Sequence, residues 1–243
     1  MRDVRRLVES TEKDPRIPEG GGERFQGYGV MAAPFRSGHL LAMRRFPASS
    51  LGPGYSSVWH RSPRGRWTFW SDQPALQACP RYFGRAIDAA IQTEIFVSWD
   101  SPASFWVAVP SANLEWSIQL RTTVTTRILN TMARLMPGSW WHRPRVLRAM
   151  GAMAGRLLRA GEMSLQGQAP NGQRFVVNPM RIWMVDGHAS ISGEALGEPG
   201  PLPAQVRLGD FWIPQRGLFA VGRAFFERTD PRRHLLLASA TQG

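Results

Sequence analysis

The stretch Ser56–Asp72, SSVWHRSPRGRWTFWSD, decides the fold class. Two runs rich in Val, Trp, Phe and Thr flank RSPRGR, whose Pro63 and Gly65 are turn formers, and this predicts a β-hairpin with strands near 55–61 and 66–72. Working outward, HLLAMRRF (39–46), TEIFVSW (93–99), SFWVAVP (104–110) and NLEWSIQL (113–120) have the same texture. They follow one another at about ten residues, which suits a meander in a sandwich or barrel. After Gly161 the strands return as EMSLQGQ (162–168), QRFVVNPMRIWMV (173–185), ASISGEAL (189–196), AQVRLGDFWIP (204–214) and LFAVGRAFFER (218–228). The turns between them are read at APNG, DGH and QRG, and the last residues read as a frayed end.

Between the two β-rich halves the period changes. TTVTTRILNTMARLM (122–136) puts Val124, Ile128, Met132 and Leu135 on one helical face, with Arg127 and Arg134 off it. PGSWWHRP follows as a turn carrying Trp140 and Trp141. In RVLRAMGAMAGRLLRA (145–160), Arg145, Arg148, Arg156 and Arg159 share one stripe, and Val146, Leu147, Met150, Met153, Leu157 and Leu158 lie on the other side. No acidic residue occurs from Trp116 to Gly161. The reading is therefore a mainly β chain, an antiparallel barrel or sandwich with a helical hairpin inserted at about 122–160. Residues 1–22 mix charges with PRIPEGGG and are read as a mobile tail or short helix with a linker; 23–243 form one domain.

The formal net charge of +12 rests on arginine, since Lys13 is the single lysine. A surface this basic points to an anionic partner: nucleic acid, acidic lipid headgroups or an anionic small molecule. The hydrophobic fraction of 43% and the mean hydropathy of −0.27 are those of a soluble globular protein. Cys79 is the only cysteine, which excludes an internal disulfide and a thiolate metal cluster. The first residues lack the apolar run of a signal peptide, and no eighteen consecutive residues are apolar. A cytoplasmic chain that touches a membrane without crossing it is the expectation.

SGHLLAMRRFP (37–47), YSSVWHRSPRGRWTFWSD (55–72), NGQRFVVNPMRIWMV (171–185) and GDFWIPQRGLFAVGRAFFE (209–227), taken in this order, resemble the lipocalin-like or calycin group, in particular tandem-barrel relatives that include carotenoid hydratases and terpenoid-modifying enzymes. That resemblance implies an interior cavity for an apolar ligand such as an isoprenoid, sterol or acyl chain. It transfers no catalytic residue.

Candidate chemistry is sparse. His39, His60, His142, His188 and His234 show no metal-ligand spacing, so neither a metal nor another cofactor is expected. If the chain is an enzyme, the expected reaction is cofactor-independent acid/base chemistry on an isoprenoid or lipid, a hydration, isomerisation or cyclisation. The candidates for it are His39, His60, Asp72, Glu94 and Glu115, with Tyr55 as a donor. Substrate contacts are expected from Trp59, Trp70, Trp99 and Trp116, with Arg121 at the end of the polar row Glu115, Ser117 and Gln119. That row lines a ligand site in a helix-covered barrel and faces water in an ordinary sandwich. For the arginine stripe three readings stand: a solvated face, docking to an anionic membrane surface through Arg145, Arg148, Arg156, Arg159, Trp140 and Trp141, or nucleic-acid binding, for which no signature is present. The non-catalytic alternative is a lipid-binding module recruited to a membrane by this hairpin.

Overall fold

A computed structural model of the chain describes residues 4–228. The expected frayed end and His234 lie outside them. The first half contains α1 (Val4–Lys13), β1 (Glu23–Pro34), β2 (Leu40–Ser49), β3 (Tyr55–Arg61), β4 (Trp67–Ser71), a short α2 (Pro80–Phe83), β5 (Ala89–Gln92), β6 (Phe96–Ser101), β7 (Ser104–Val109) and β8 (Leu114–Arg121). The helical hairpin is α3 (Val124–Leu135) and α4 (Pro144–Leu158). Then come β9 (Gln166–Gln168), β10 (Arg174–Ile191), β11 (Glu194–Ala195), β12 (Arg207–Leu208), β13 (Phe211–Trp212) and β14 (Leu218–Phe226).

One sheet runs in the order β5-β4-β3-β2-β1-β14-β10-β8-β7-β6, with β9 and β11 added to β10 and a separate β12–β13 pair. All ladders in the main sheet are antiparallel except β4–β5. The sheet curls into a half-barrel, so the fold is mainly β, as the hairpin texture predicts. Its two faces are easily told apart by the alternation of side chains. Toward the inside of the curl point Tyr28, Val30, Leu41, Met43, Val58, Trp70, Phe105, Val107, Trp116, Ile118, Trp183, Phe219 and Val221, which form one continuous cluster. Residues of strands far apart in the sheet order meet there, and they fill the interior that the barrel reading assigns to a ligand.

At the N-terminus the chain forms the short helix α1, and it packs on the sheet. Val4 and Val8 insert into the inner cluster, and Glu12 takes two hydrogen bonds from Arg45, Nε and Nη2 each at 2.9 Å, and one from the Tyr28 hydroxyl at 2.8 Å. Burial pushes the Glu12 carboxyl up, but Arg45 and Tyr28 outweigh it and hold it below its usual value. Charge-rich composition suggests a tail; three apolar or small residues at helical spacing, Val4, Val8 and Thr11, are enough to seat the helix.

Two further differences come from glycine. β1 is not legible as a strand because Gly27 and Gly29 interrupt its pattern, yet a Cβ on Gly27 or Gly29 would stand 2.0 or 2.1 Å from the Arg45 or Met43 carbonyl oxygen. The close approach of β2 requires those glycines. Similarly, DGH at 186–188 is not a turn: β10 runs on through it, pairing Asp186, Gly187 and His188 with Gln119, Ile118 and Ser117. A Cβ on Gly187 would meet the Ser117 carbonyl oxygen at 1.9 Å.

On the outer face, Glu23 at the start of β1 is buried beside Arg81, whose Nη2 donates to its carboxylate at 2.6 Å. The Tyr82 hydroxyl and Gln173 Nε2 donate to the same group, and Gln173 also donates to the Glu227 carbonyl. One carboxylate therefore joins β1, α2, the turn before β10 and the end of β14. Desolvation pushes its pKa up, and Arg81 and Tyr82 more than offset this, leaving it lowered. Its stabilising contribution is thus present above the ordinary carboxylate range and is lost as pH falls through the lowered value. Glu23→Gln is expected to lower unfolding stability by about 3 kcal/mol at neutral pH, because it leaves Arg81 without its partner; urea titration measures this, and an unchanged midpoint would show that the network carries no net stability.

Candidate functional site

Alternation along β2 sends Leu41, Met43 and Arg45 into the curl and Leu40, Ala42 and Arg44 to the outer face. On β3 the outer residues are Tyr55, Ser57 and Trp59, and on β14 they are Ala220, Gly222 and Ala224. The helices α3 and α4 lie over this face. Asn130 of α3 clasps the backbone of Ile182, donating to its carbonyl at 2.9 Å and accepting from its N–H at 2.8 Å, beside the bulge between Pro179 and Arg181 in β10. α4 is set close to the chain that follows it by Gly151 and Gly155, whose absent side chains make room for the carbonyls of Met163 and Gly161.

Because the covering helices meet a strip of glycine and alanine, space is left between the layers. A cavity of about 560 Å³ occupies it, within the usual range of roughly 300–1,000 Å³ for small-molecule sites. Gly27, Ala220, Gly222 and Ala224 form its floor; Phe46, Tyr55, Trp59, Phe83 and Phe226 its aromatic wall; Met132, Met136, Met150, Met153 and Met163 its roof. Methionine roofs adapt to the shape of what they cover.

Two charged residues line the cavity: Arg223, which is exposed, and Arg44, which is buried. Among the described residues no carboxylate pairs with Arg44. Nη1 donates to the carbonyls of Val30 and Met43, and Nη2 to that of Met31, while the guanidinium carbon sits 4.5 Å from the Trp59 ring centroid. Burial pulls its pKa down to about 10, which leaves it a cation at neutral pH. Of the five N–H donors of a guanidinium, the Nε–H and one on Nη2 are left without a described protein partner. Beside Arg44, the Tyr55 hydroxyl and Cys79 Sγ are 3.5 Å apart. Burial raises the pKa of both, so each is protonated at neutral pH. Asn178 also borders the cavity, and its Oδ1 is buried without a hydrogen-bond partner.

Of the residues singled out in the sequence, Tyr55 and Trp59 line this cavity, as does Trp140. The others do not converge on it. His39 and His60 face the inside of the curl, their Nδ1 and Nε2 2.9 Å apart and their rings stacked, with Trp70 stacked on the far side of His60. Asp72 is not the partner of His60: it accepts from the Ser56 N–H at 2.8 Å, at the far end of the hairpin, while His60 pairs across with Thr68. Glu94 and Glu115 are exposed, and the polar row of β8 faces water, because Leu114, Trp116, Ile118 and Leu120 hold the inner side. Trp70 and Trp116 are packed in the inner cluster and Trp99 lies against it. Arg121 pairs with Asp186 and, with Trp116, borders a second and more polar cleft of about 510 Å³ between the start of α3 and the 199–201 and 215–217 loops. Arg145, Arg148, Arg156 and Arg159 are exposed and Trp141 is half-buried. Arg44 and Asn178 are absent from the sequence-derived set. The signal for Arg44 was the two-residue period of Leu40, Ala42 and Arg44, an arginine on an apolar strand face.

No protein-family model matches the chain, and no curated protein matches it. Among solved structures it is similar to the crystal structure of acetoacetate decarboxylase from Legionella pneumophila subsp. pneumophila str. Philadelphia 1, at 11% sequence identity over 94% of each chain and a TM-score of 0.39.

The histidine pair generates a pH prediction. Burial and the neighbouring His39 ring push the pKa of His60 down to about 4, against about 6.5 in an unfolded chain. Between those values the unfolded chain binds a proton that the folded one does not, so stability is complete above about pH 6.5 and falls on acidification, by about 3 kcal/mol in all. His60→Asn is expected to flatten that slope between pH 7 and 4.5 in urea titrations; an equally steep slope in the variant would place the acid sensitivity elsewhere.

Proposed function

We propose that this protein binds an amphipathic small molecule with an anionic head, an acyl or isoprenoid carboxylate, in the cavity between the sheet and the helical hairpin. The observation that carries this reading is Arg44: a buried, charged guanidinium at the wall of an apolar cavity, with no carboxylate partner among the described residues. A buried charge is costly unless it is paired. Three backbone carbonyls satisfy part of its hydrogen bonding but supply only partial charge, and two N–H donors remain, the number that a carboxylate engages. Tyr55 supplies a further hydroxyl donor beside that head, and the aromatic wall and methionine roof take the tail.

Binding is favoured here over acid/base turnover. Among the described lining residues there is no carboxylate and no imidazole. Burial raises the pKa of the Tyr28, Tyr55 and Tyr82 hydroxyls and of the Cys79 thiol that line the cavity, and Arg44 stays a cation at neutral pH, so among these groups a general base is lacking. A Schiff-base route needs a lysine amine, and the single lysine, Lys13, is exposed on α1.

The test begins with native mass spectrometry and solvent extraction of the purified protein, followed by titration with hexadecanoate and with hexadecanol, read by tryptophan fluorescence. The acid is expected to bind about tenfold or more tightly than the alcohol, and Arg44→Gln should abolish that preference. Met153→Trp, which fills the roof and leaves Arg44 untouched, is expected to weaken both. Equal affinity for acid and alcohol in the unaltered protein would overturn the anionic-head reading, and binding of neither would overturn the cavity as a lipid site.

A further inference from the structure

The outward face of α3 is apolar. Val124, Ile128, Met132 and Leu135, which the helical period puts on one line, are 72%, 52%, 45% and 77% exposed, while the opposite line, Thr126 and Leu129, is the one that packs down. Sequence periodicity reads this stripe as the buried one; the structure leaves it uncovered. At about 100° per residue Arg127 and Arg134 fall together along one flank of the stripe. Across the hairpin they are joined by Arg143, Arg145, Arg148, Arg156 and Arg159; all seven are exposed, and among the described residues none is in an ion pair. The cavity reaches the surface on this same side, because Leu135 and Trp140 both line it and are exposed.

From this we infer that the α3–α4 hairpin docks on an anionic phospholipid bilayer, the α3 stripe and Trp140 entering the interface, the arginines meeting lipid phosphates, and the cavity mouth facing the membrane. Charge selects this occupant. A hairpin whose own charged residues are all arginines repels a second copy of a chain that carries +12, and it matches a surface where apolar and anionic groups lie side by side. Among the described residues no helix is long and apolar enough to cross a membrane, so the contact is peripheral. The inference goes beyond the ligand reading and stands without it: vesicle binding can fail while carboxylate binding persists, and the reverse.

The experiment is flotation of the full chain with vesicles of phosphatidylcholine alone and of phosphatidylcholine mixed with phosphatidylglycerol, alongside analytical ultracentrifugation. Binding is expected to the mixed vesicles only, with a blue shift of tryptophan emission. Arg127→Gln and Arg134→Gln should each weaken it about fivefold. Val124→Asp and Ile128→Asp, at exposed positions outside the cavity lining that leave the circular dichroism unchanged, should remove the blue shift. No binding to either vesicle, binding that ignores these substitutions, or a dimer that Ile128→Asp dissociates would each overturn the inference, the last by showing a second copy on the stripe.

Discussion

Everything in this fold depends on the double pairing of β14. It is the last strand among the described residues, yet it lies between β1 and β10, with nine residues in register on one side and nine on the other. Through it the β1–β5 arm and the β10-β8-β7-β6 arm become one sheet. A strand in that central position is covered on both faces, and β14 meets the demand unequally. Phe219 and Val221 point into the curl and join the aromatic cluster. Ala220, Gly222 and Ala224 point outward and reach almost nowhere.

The cavity follows from that inequality. Side chains on the inside of a curled sheet converge, so aromatic rings from β4, β7, β8 and β10 fill the space and α1 closes it. On the outside the strands diverge, and the layer of helices is held off by its own contacts, Asn130 on Ile182 and the glycines of α4 on residues 161–163. Small residues in the floor beneath leave a gap that methionines line without filling. A cavity on the outer face of a half-barrel, under a helical roof, is therefore the packing solution of this chain, where lipocalin-like texture implies one in the barrel interior.

Much of the fold is legible in the sequence where one face of an element is buried and the other wet. The β3–β4 hairpin, β7 and β8 lie within one or two residues of their predicted limits, because Trp, Val and Phe alternate there with polar residues. The helical hairpin is legible for the same reason. Where backbone geometry rather than side-chain burial decides, the pattern fails: β1 and the middle of β10 depend on glycines that sequence reads as breaks. Of the cavity, Tyr55 and Trp59 were within reach because aromatic residues on a strand announce a packed face. Arg44 was not, since an arginine beside Arg45 in MRRFP reads as surface charge until the strand's two faces are assigned.

The exposed stripe of α3 shows a deeper limit of periodicity. A helical pattern reports that one face avoids water, and it carries no information on what does the covering. In α4 the answer is the protein: Leu147 and Leu158 are buried, and Val146, Met150 and Met153 line the cavity. In α3 the sheet takes the narrow line of Thr126 and Leu129, because Asn130 must reach the Ile182 backbone and the capping box at Thr123 and Thr126 fixes where the helix starts. Those polar constraints set the rotation of the helix about its axis, and the apolar stripe is carried outward as a result. Rotating α3 to bury Ile128 and Leu135 would cost both hydrogen bonds to Ile182 and turn Leu129 out of the layer it packs in. The orientation is thus determined by the side that faces the sheet, and the outward face is left free to serve a second surface.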